Sequence, residues 1–373
     1  MYLTITFFIA LSFVACSGQE TTEQTTDDGI YRIVLLVNGN LGDMSFFDSA
    51  NEGINRLNED YGDVLEATTI EMGTNQSNWE TTLYRVSQQD YDLIITATTQ
   101  MREPLQRVSK RYPEKDYIIF DSEIEDGKAD QYENVHSILF RQNEGAFLAG
   151  VLAAKMANGT SGMGAPVLGS HMVGFIGGMR NNIIYDFAVG YAKGIEFVNQ
   201  MSDENTHLIT SFVGNFSDST QAKALANIQY ENGSDVIFVA ASQAGLGVID
   251  SAETQNKYVI GVDSDQYAYY KDTNPDRAEL IVTSVLKEVG NVIYDSVLAY
   301  INQNLEFATL VTYGLSEGII DIADNENYQD KVPEELRIYI ADLKAQIISG
   351  ELDIVSRFDL TLDEVDQLFE SLE

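Results

Sequence analysis

Cysteine and histidine are nearly absent from this sequence. Cys16 is the single cysteine, so no disulfide can form within the chain. The histidines His136, His171 and His207 stand far apart in the sequence, and no Cys/His group has the spacing of a metal site. We therefore expect no metal and no cofactor, and we expect the histidines to be packing or surface residues.

Positive charge is also scarce. The chain has 22 Lys and Arg against 58 Asp and Glu, a formal net charge of −36. Nucleic-acid binding requires basic surfaces that meet the phosphates, so this balance argues against a nucleic-acid partner. An acidic ligand is not excluded from a local pocket, but the overall field would not draw it in.

No apolar run is long enough for a membrane span. Residues 1–15, MYLTITFFIALSFVA, are too few for a transmembrane helix and are typical of a signal peptide. The run ends at Cys16, in an arrangement that resembles a bacterial lipobox; an ordinary secretory signal is the alternative. Residues 16–29 cannot bury apolar surface and predict a flexible tether. We thus expect a protein anchored by lipid on the extracytoplasmic face of the cell membrane.

From residue 30 onward, short apolar runs alternate with stretches of helical periodicity. This alternation predicts an α/β protein with parallel sheets covered by helices on both faces, and the number of strands favours two sheets. Residues 143–157 are apolar on nearly every side and predict a buried helix, while 182–198 and 333–349 have a single apolar stripe. The predicted strands are 30–37, 64–69, 91–96, 116–120, 134–140, 171–176, 208–213, 235–240, 258–262 and 308–313.

Polar residues stand where several predicted strands end. Asn38, Asp121 and Asp263 each follow the last apolar residue of a strand, and Gly245 lies in a small-residue loop after another. Ligands of parallel α/β sheets gather beyond the carboxyl ends of the strands. Any one of these residues is explained by a turn or a helix cap, but several at one edge predict a ligand-binding cleft.

The turn after the first strand, NGNLGDMSFFD at 38–48, is informative. Ser45 and Asp48 have the spacing of a capping box, which predicts a helix that begins near Phe46. Phe47 falls on the buried stripe of this helix, and Phe46 lies about 100° away from it. Phe46 is therefore predicted either to offer a flat face to a planar ligand or to cap the core.

Several of these stretches resemble the basic membrane protein family of substrate-binding lipoproteins. The likeness covers 30–355, and its motifs include GDMSFFD at 42–48, NVHSILFRQNEGAFLAGVLAA at 134–154, SDVIFVAASQAGLGV at 234–248, VIGVDSDQ at 259–266 and TSVLKEV at 283–289. It implies the type I periplasmic-binding-protein fold, in which two Rossmann-like lobes are joined by a hinge of three crossovers. We expect lobe one to hold 30–141 with 269–311, and lobe two to hold 142–268 with 312–356.

The resemblance also implies a nucleoside ligand, of the purine class, which is passed to an ABC transporter permease. Phe46 and Phe216 would lie on the two faces of the base, and Asp121 would contact it. Asp263 or Asp265, with Lys287, would hold the ribose, because carboxylates accept from hydroxyls and lysine donates to oxygen. The remaining expected ligand-binding residues are Asn38, Asp43 and Gly245.

Phe47 departs from the family, which commonly has Asn there, so the preferred nucleoside stays open. A nucleoside-sensing lipoprotein is the alternative function, and a nucleoside-processing enzyme is a weaker one because no catalytic grouping stands out. Residues 357–373 predict a short acidic amphipathic helix. This helix is expected to pack on lobe two, with a partner site as the alternative.

Overall fold

The computed structural model describes residues 29–159, 169–203 and 205–373. The predicted signal peptide, Cys16 and all of the predicted tether except Gly29 lie outside these ranges. Within the ranges, no helix has the length and apolar character that crossing a bilayer requires.

The first of two sheets contains six strands, all parallel. Its spatial order is β11-β5-β4-β3-β1-β2. The order places β1, β3 and β4 side by side, so their carboxyl ends meet at one edge. The strands are β1 (Tyr31–Val37), β2 (Leu65–Glu71), β3 (Leu93–Ala97), β4 (Asp116–Phe120), β5 (Val135–Phe140) and β11 (Thr309–Tyr313).

The second sheet also has six strands, in the order β12-β10-β9-β8-β6-β7, and only β12 is antiparallel to its neighbour. The ten predicted strands are confirmed within two residues at each end, whereas β10 and β12 lie outside the predicted strands. The strands are β6 (Met172–Gly177), β7 (His207–Phe212), β8 (Val236–Ala240), β9 (Tyr258–Asp263), β10 (Ile281–Lys287) and β12 (Ile320–Ile322).

Helices cover both faces of each sheet. The predicted helix start near Phe46 and the helices predicted at 143–157, 182–198 and 333–349 are confirmed within one residue. The helices are α1 (Phe46–Tyr61), α2 (Trp79–Ser87), α3 (Arg102–Arg111), α4 (Gln142–Ala157), α5 (Asn182–Asn199), α6 (Ser219–Glu231), α7 (Leu246–Gln255), α8 (Gln266–Tyr270), α9 (Pro275–Ala278), α10 (Val289–Ile301), α11 (Glu326–Lys331), α12 (Glu334–Ser349) and α13 (Leu362–Glu370).

The chain passes between the two lobes three times, after β5, after β10 and after β11. The predicted assignment of 269–311 to lobe one is wrong for residues 269–287. Strand β10 pairs with β9 in the second sheet, and the chain reaches lobe one only with α10, which packs on α1. The second crossover therefore lies between Lys287 and Val289, directly after the strand that carries Lys287.

Helices α4 and α5 cross so closely in the core of lobe two that their backbones are in contact. A Cβ added to Gly150 would lie 2.1 Å from the carbonyl oxygen of Tyr191, and one added to Gly194 would lie 2.2 Å from that of Phe147. Glycine is thus required at both positions because the opposing backbone occupies the space of a side chain. Together with the contacts of α4 to α12 and to strands β6, β8, β10 and β12, this packing buries α4 on nearly all sides.

The C-terminal segment, residues 356–373, closes one side of lobe two. Helix α13 buries Val365, Leu368 and Phe369, and the amide of Leu208 on edge strand β7 donates to the carbonyl of Leu372 at 2.8 Å. This hydrogen bond pairs a backbone amide that the edge strand would otherwise leave without a partner.

Candidate functional site

A cleft lies between the two lobes, beyond the carboxyl ends of the strands. Its empty space is about 1080 Å³, open solvent at its mouth included. Lobe one contributes Asn38, Phe46, Phe47, Trp79, Thr98 and Asp121, and lobe two contributes Asn181, Ile183, Ile184, Phe187, Phe216, Ser242, Val262, Asp263 and Lys287.

A buried lysine joins two carboxylates at the floor of the cleft. Lys287 Nζ lies 2.9 Å from Asp121 Oδ1 of the opposite lobe and 3.6 Å from Asp263 Oδ1. Only 2% of the lysine is exposed, and its ammonium lies 4.8 to 5.4 Å from the ring centres of Phe46, Phe187 and Phe140. The three charged groups therefore form one unit across the interlobe boundary.

The electrostatics of this unit follow from burial and pairing. Burial raises the pKa of Asp263, while Lys287 and the hydroxyl of Ser45 oppose that shift. Burial acts to lower the pKa of Lys287, but the charges of Asp121 and Asp263 outweigh it and raise the pKa. The lysine is therefore cationic at neutral pH, and the floor can both donate to and accept from a neutral polar ligand.

Strained backbone surrounds the cleft. Asp121 and Asp263 close β4 and β9 with φ of 59° and 64°, and Thr98 and Ser242, after β3 and β8, have φ of 70° and 47°. Non-glycine residues reach this left-handed region at a cost, and such strain clusters at functional sites. The two lobes thus use the same irregular geometry to turn polar side chains toward the cleft.

Two buried acceptor atoms at the cleft have no hydrogen-bond partner among the described residues. Asn38 donates through Nδ2 to Thr98 Oγ1 at 2.9 Å, but its Oδ1 is unpaired. Asp263 accepts from Ser45 Oγ through Oδ2 at 2.6 Å, but its Oδ1 accepts no hydrogen bond. Both atoms line the cleft, and the nearest donor to Asp263 Oδ1 is Lys287 Nζ at 3.6 Å, so each has room to accept a hydrogen bond from a bound molecule.

Aromatic rings reach the cleft from both lobes. Phe46 lines it while packing on Phe120 with ring centres 5.4 Å apart, so this side chain both faces the cleft and caps the core. Phe47, predicted to be wholly on the buried stripe, also lines the cleft. Phe216 of lobe two stands over Gly178, where an added Cβ would lie 2.3 Å from its ring.

Two predictions for the first turn are corrected. Ser45 makes no side-chain cap to α1, because its hydroxyl is used by Asp263 of the other lobe. Asp43 caps the helix instead: its carboxylate accepts from the amides of Ser45, Phe47 and Asp48, each at 3.1 Å. Since Asp43 is fully buried and does not line the cleft, we remove it from the ligand-binding set.

The predictions that Gly245 and Asp265 bind the ligand are corrected in the same way, because neither residue lines the cleft. Gly245 is buried against Val239 at the start of α7. Asp265 turns away toward Asn325, whose Nδ2 donates to it at 2.7 Å. Of the two acids offered by the sequence, the structure brings Asp263 to the floor. The expected residues that lie together are Asn38, Phe46, Asp121, Phe216, Asp263 and Lys287.

Sequence reasoning missed other cleft residues. Thr98 follows β3, so the rule that found Asn38 and Asp121 would have found it had the strand been extended by one residue. Trp79, the single tryptophan of the chain, opens α2 and donates from Nε1 to the carbonyl of Gly73 at 2.8 Å. Nothing in its local pattern separates a cleft residue from a core residue.

Two Rossmann-like lobes, three crossovers and a cleft between them define the type I periplasmic-binding-protein fold. The chain belongs to the PnrA-like family of ABC transporter substrate-binding proteins, whose family model matches residues 30–355.

Similar proteins agree with this assignment. The chain is 30% identical to basic membrane protein A2 of Borrelia garinii subsp. bavariensis, over 94% of this chain and 94% of that protein. It is 30% identical to the ABC transporter nucleoside-binding protein BmpA of Lactococcus lactis subsp. cremoris, over 87% of this chain and 88% of that protein. A solved ABC transporter solute-binding protein of Aeropyrum pernix K1 has a TM-score of 0.77 and 26% identity, covering 92% of this chain and 97% of its own.

Proposed function

We propose that this protein binds a nucleoside, preferably a purine nucleoside, in the interlobe cleft and delivers it to an ABC transporter permease. In this proposal, Phe46 and Phe216 enclose the base, and Asn38 and Asp121 contact its edge. Asp263 and Lys287 hold the ribose. The protein then acts by closing its lobes on the ligand and releases it unchanged.

The observation that carries the proposal is a pair of buried acceptors open to further donors: Asn38 Oδ1 has no hydrogen-bond partner among the described residues, and Asp263 Oδ1 has only the long ion pair with Lys287 Nζ at 3.6 Å. A nucleoside supplies donors on both of its halves, the ribose hydroxyls and the N–H groups of the base. The lysine of the floor supplies a donor for a ribose oxygen. A free sugar would satisfy one end of this arrangement but would leave the aromatic rings without a planar partner.

The charge of the cleft supports a neutral ligand. Among the described residues that line it, the acidic and basic side chains are Asp121, Asp263 and Lys287, whose formal charges sum to one negative charge. A phosphorylated nucleoside would add further negative charge in a buried setting, at a substantial desolvation cost. The proposal also draws on the nucleoside-binding name of the Lactococcus relative.

A ligand screen tests the proposal. We expect adenosine, guanosine or inosine to raise the melting temperature of the purified protein, because a ligand bound only by the folded state stabilises it. The matching free bases, ribose and nucleoside monophosphates should shift it less. Titration calorimetry on the best ligand, followed by chromatography of the recovered ligand, should show binding without conversion. If free base appeared, the non-enzymatic part of the proposal would fail.

We further propose that Cys16 carries the lipid that holds the protein at the extracytoplasmic face of the membrane. Support comes from the sequence before it, since the apolar run of residues 1–15 ends at this cysteine. Labelling of cells with an alkyne fatty acid should mark the wild type and not Cys16→Ser. Label retained by the variant would contradict lipidation at this residue.

A further inference from the structure

Helix α5 is shared between the cleft and the C-terminal segment 356–373. Its first two turns place Ile183, Ile184 and Phe187 on the cleft. The intervening residues Tyr185 and Asp186 face away and contact the C-terminal segment. One short stretch of helix therefore has the ligand site on one side and the C-terminal segment on the other.

The first contact is aromatic. The ring of Phe369, on α13, stacks on Tyr185 at a centroid distance of 6.4 Å and an interplanar angle of 27°. Tyr185 in turn meets Phe212 edge-on at 5.3 Å, and the guanidinium of Arg180 lies 4.3 Å from the centre of Phe212. Distances of this order are typical of favourable aromatic and cation–π pairs. The series connects α13 to the loop that precedes α5.

The second contact is polar and centres on the buried carboxylate of Asp186. Asp186 Oδ1 accepts from Ser356 Oγ at 2.7 Å and from the amide of Arg357 at 2.8 Å. Its Oδ2 accepts from Gln142 Nε2 at 2.7 Å, and Gln142 is the first residue after the first crossover. A buried carboxylate with this set of donors has a single well-defined position, because loss of any donor leaves charge unsatisfied.

The C-terminal segment is itself held in a defined shape. Ser356 with Asp359 and Thr361 with Glu364 form two successive capping boxes, which fix the starts of its 3-10 turn and of α13. Val365, Leu368 and Phe369 are buried against lobe two. The segment also lies beyond the range that the family model matches, which ends at residue 355.

We infer that the C-terminal segment is a positioning element for the ligand site: Phe369 and Ser356 hold Tyr185 and Asp186, and thereby set the placement of Ile183, Ile184 and Phe187 in the cleft. The readout of this inference is nucleoside affinity, so it rests on the function proposed above. Residues that do not touch the ligand then contribute to its affinity.

The central experiment compares Phe369→Ala with Val236→Ala in the full-length protein. Val236 is fully buried at the start of β8, whereas Ala240, at the other end of the same strand, lines the cleft. Val236→Ala thus lowers the stability of lobe two without touching α13. Leu362→Ala, on the exposed side of α13, is the surface control. Dissociation constants for adenosine, guanosine and inosine are measured by calorimetry at a temperature where every variant is folded.

Phe369→Ala should weaken binding by roughly 2- to 30-fold, the range of couplings transmitted through packed side chains. Val236→Ala and Leu362→Ala should keep the wild-type constant, because a uniform loss of stability does not alter the affinity of molecules that are folded. If Phe369→Ala also kept the wild-type constant, the C-terminal segment would be a structural cap only and the inference would be overturned. Should Phe369→Ala not fold, Phe369→Leu, which keeps apolar volume and removes the ring, takes its place.

A second readout separates this inference from the proposed function. Hydrogen exchange of the amides at 183–187 is measured without ligand, and it should be faster in Phe369→Ala than in wild type and in Val236→Ala. If the wild type binds none of the three nucleosides, the proposed function fails, and this exchange measurement decides the positioning role alone. Equal exchange in all three proteins would refute that role.

Discussion

At the scale of single residues, the cleft separates side chains that hold the fold from side chains left for a ligand. Asp43 and Asp263 are both buried carboxylates beside α1. Asp43 is saturated by three backbone amides and by Ser242, whereas Oδ1 of Asp263 has only the long ion pair with Lys287 Nζ at 3.6 Å. The number of hydrogen-bond donors around each carboxylate therefore distinguishes a helix cap from a ligand-binding residue, although the sequence shows only two aspartates.

Phe216 is the aromatic residue that best tests ligand stacking, because it is partly buried at the cleft, while Phe46 is also part of the core. Phe216→Ala should weaken nucleoside binding by about 1–3 kcal/mol, the usual value of one base–aromatic contact. Calorimetry with the best nucleoside measures the loss.

The control is Phe197→Ala, which removes a partly buried ring that packs on Phe147 in the same lobe. It should lower thermal stability and leave the affinity unchanged. Equal affinities for Phe216→Ala and wild type would rule out stacking on this ring.

Asp186 predicts a particular pH dependence of stability. Burial raises its pKa to about 6, against the lowering effect of its hydrogen-bond donors. Between the ordinary carboxyl range and about pH 6, the folded protein retains a proton that the unfolded chain has lost. This contribution to the free energy of unfolding is therefore present at low pH and is lost as the pH rises through 6.

Asp186→Asn removes this titration. The free energy of unfolding of the variant, relative to wild type, should rise by about 2–3 kcal/mol between pH 4 and pH 7, since one pKa unit corresponds to about 1.4 kcal/mol. Urea denaturation at several pH values measures the difference. The exposed Asp366→Asn should follow the wild-type profile. A constant difference between Asp186→Asn and wild type at all pH values would show that Asp186 does not titrate in this way.

At the scale of elements, the closest packing in lobe two is the crossing of α4 and α5 at Gly150 and Gly194. Gly150→Ala should lower the free energy of unfolding by about 1–3 kcal/mol, because the methyl group meets backbone that cannot move aside. This is the net loss, because the steric cost outweighs the gain of about 1 kcal/mol that alanine brings to a helix interior. Chemical denaturation measures the net effect.

The matched substitution is Gly245→Ala, where the nearest atom to the added methyl is a side-chain carbon of Val239 at 3.3 Å. We expect a smaller loss there and unchanged nucleoside affinity, because Gly245 does not line the cleft. A Gly150→Ala protein more stable than wild type would mean that the helices can separate without cost.

The elements also show what sequence can predict. Strand β8 and residues 33–37 of β1 are continuous apolar runs and were predictable, because burial on both faces leaves a pattern in the sequence itself. Strand β10 is equally buried but contains Thr283, Ser284 and Lys287. Their polar atoms are satisfied by Ala323, by Gln266 and by Asp121, and these partners are unknown until the chain has folded.

The residues of the site also divide into those that the sequence could predict and those that it could not. Asn38, Asp121 and Asp263 were predictable because strand ends meet at the cleft edge. Lys287 was found only through the family resemblance, since an isolated lysine usually lies on the surface. Asp43 and Asp265 were placed in the cleft wrongly, because a carboxylate that caps a helix and one that binds a ligand look alike in a sequence.

At the scale of the whole molecule, hydrogen bonds join the lobes directly. Ser242 Oγ donates to Asp43 Oδ2 at 2.7 Å, Ser45 Oγ donates to Asp263 at 2.6 Å, and Gln266 Nε2 donates to the carbonyl of Met44 at 3.2 Å. Each of these bonds joins residues of opposite lobes, so each favours the closed form over an open one.

Ser242→Ala should therefore weaken nucleoside binding. The closed form loses a hydrogen bond to a buried acid, worth about 1.5–3 kcal/mol when that acid is ionised, and an open form loses nothing. Calorimetry gives the affinity, and X-ray scattering should show that more nucleoside is needed to reach the compact state.

Ser251→Ala is the control, because Ser251 Oγ donates at 2.7 Å to Asn227 within the same lobe. Its affinity should equal that of the wild type. A Ser242→Ala protein with wild-type affinity would imply that this interlobe bond forms equally well in the open form.

The position of Lys287, two residues before α10 begins in the other lobe, has a mechanical consequence. Atoms near a rotation axis are displaced less than atoms far from it, so the ammonium of Lys287 and the carboxylate of Asp121 should separate little when the lobes open about the crossover that follows Lys287. The open protein would then already hold this ion pair near the axis, and the aromatic side chain of Phe216 would reach the ligand only when the lobes close.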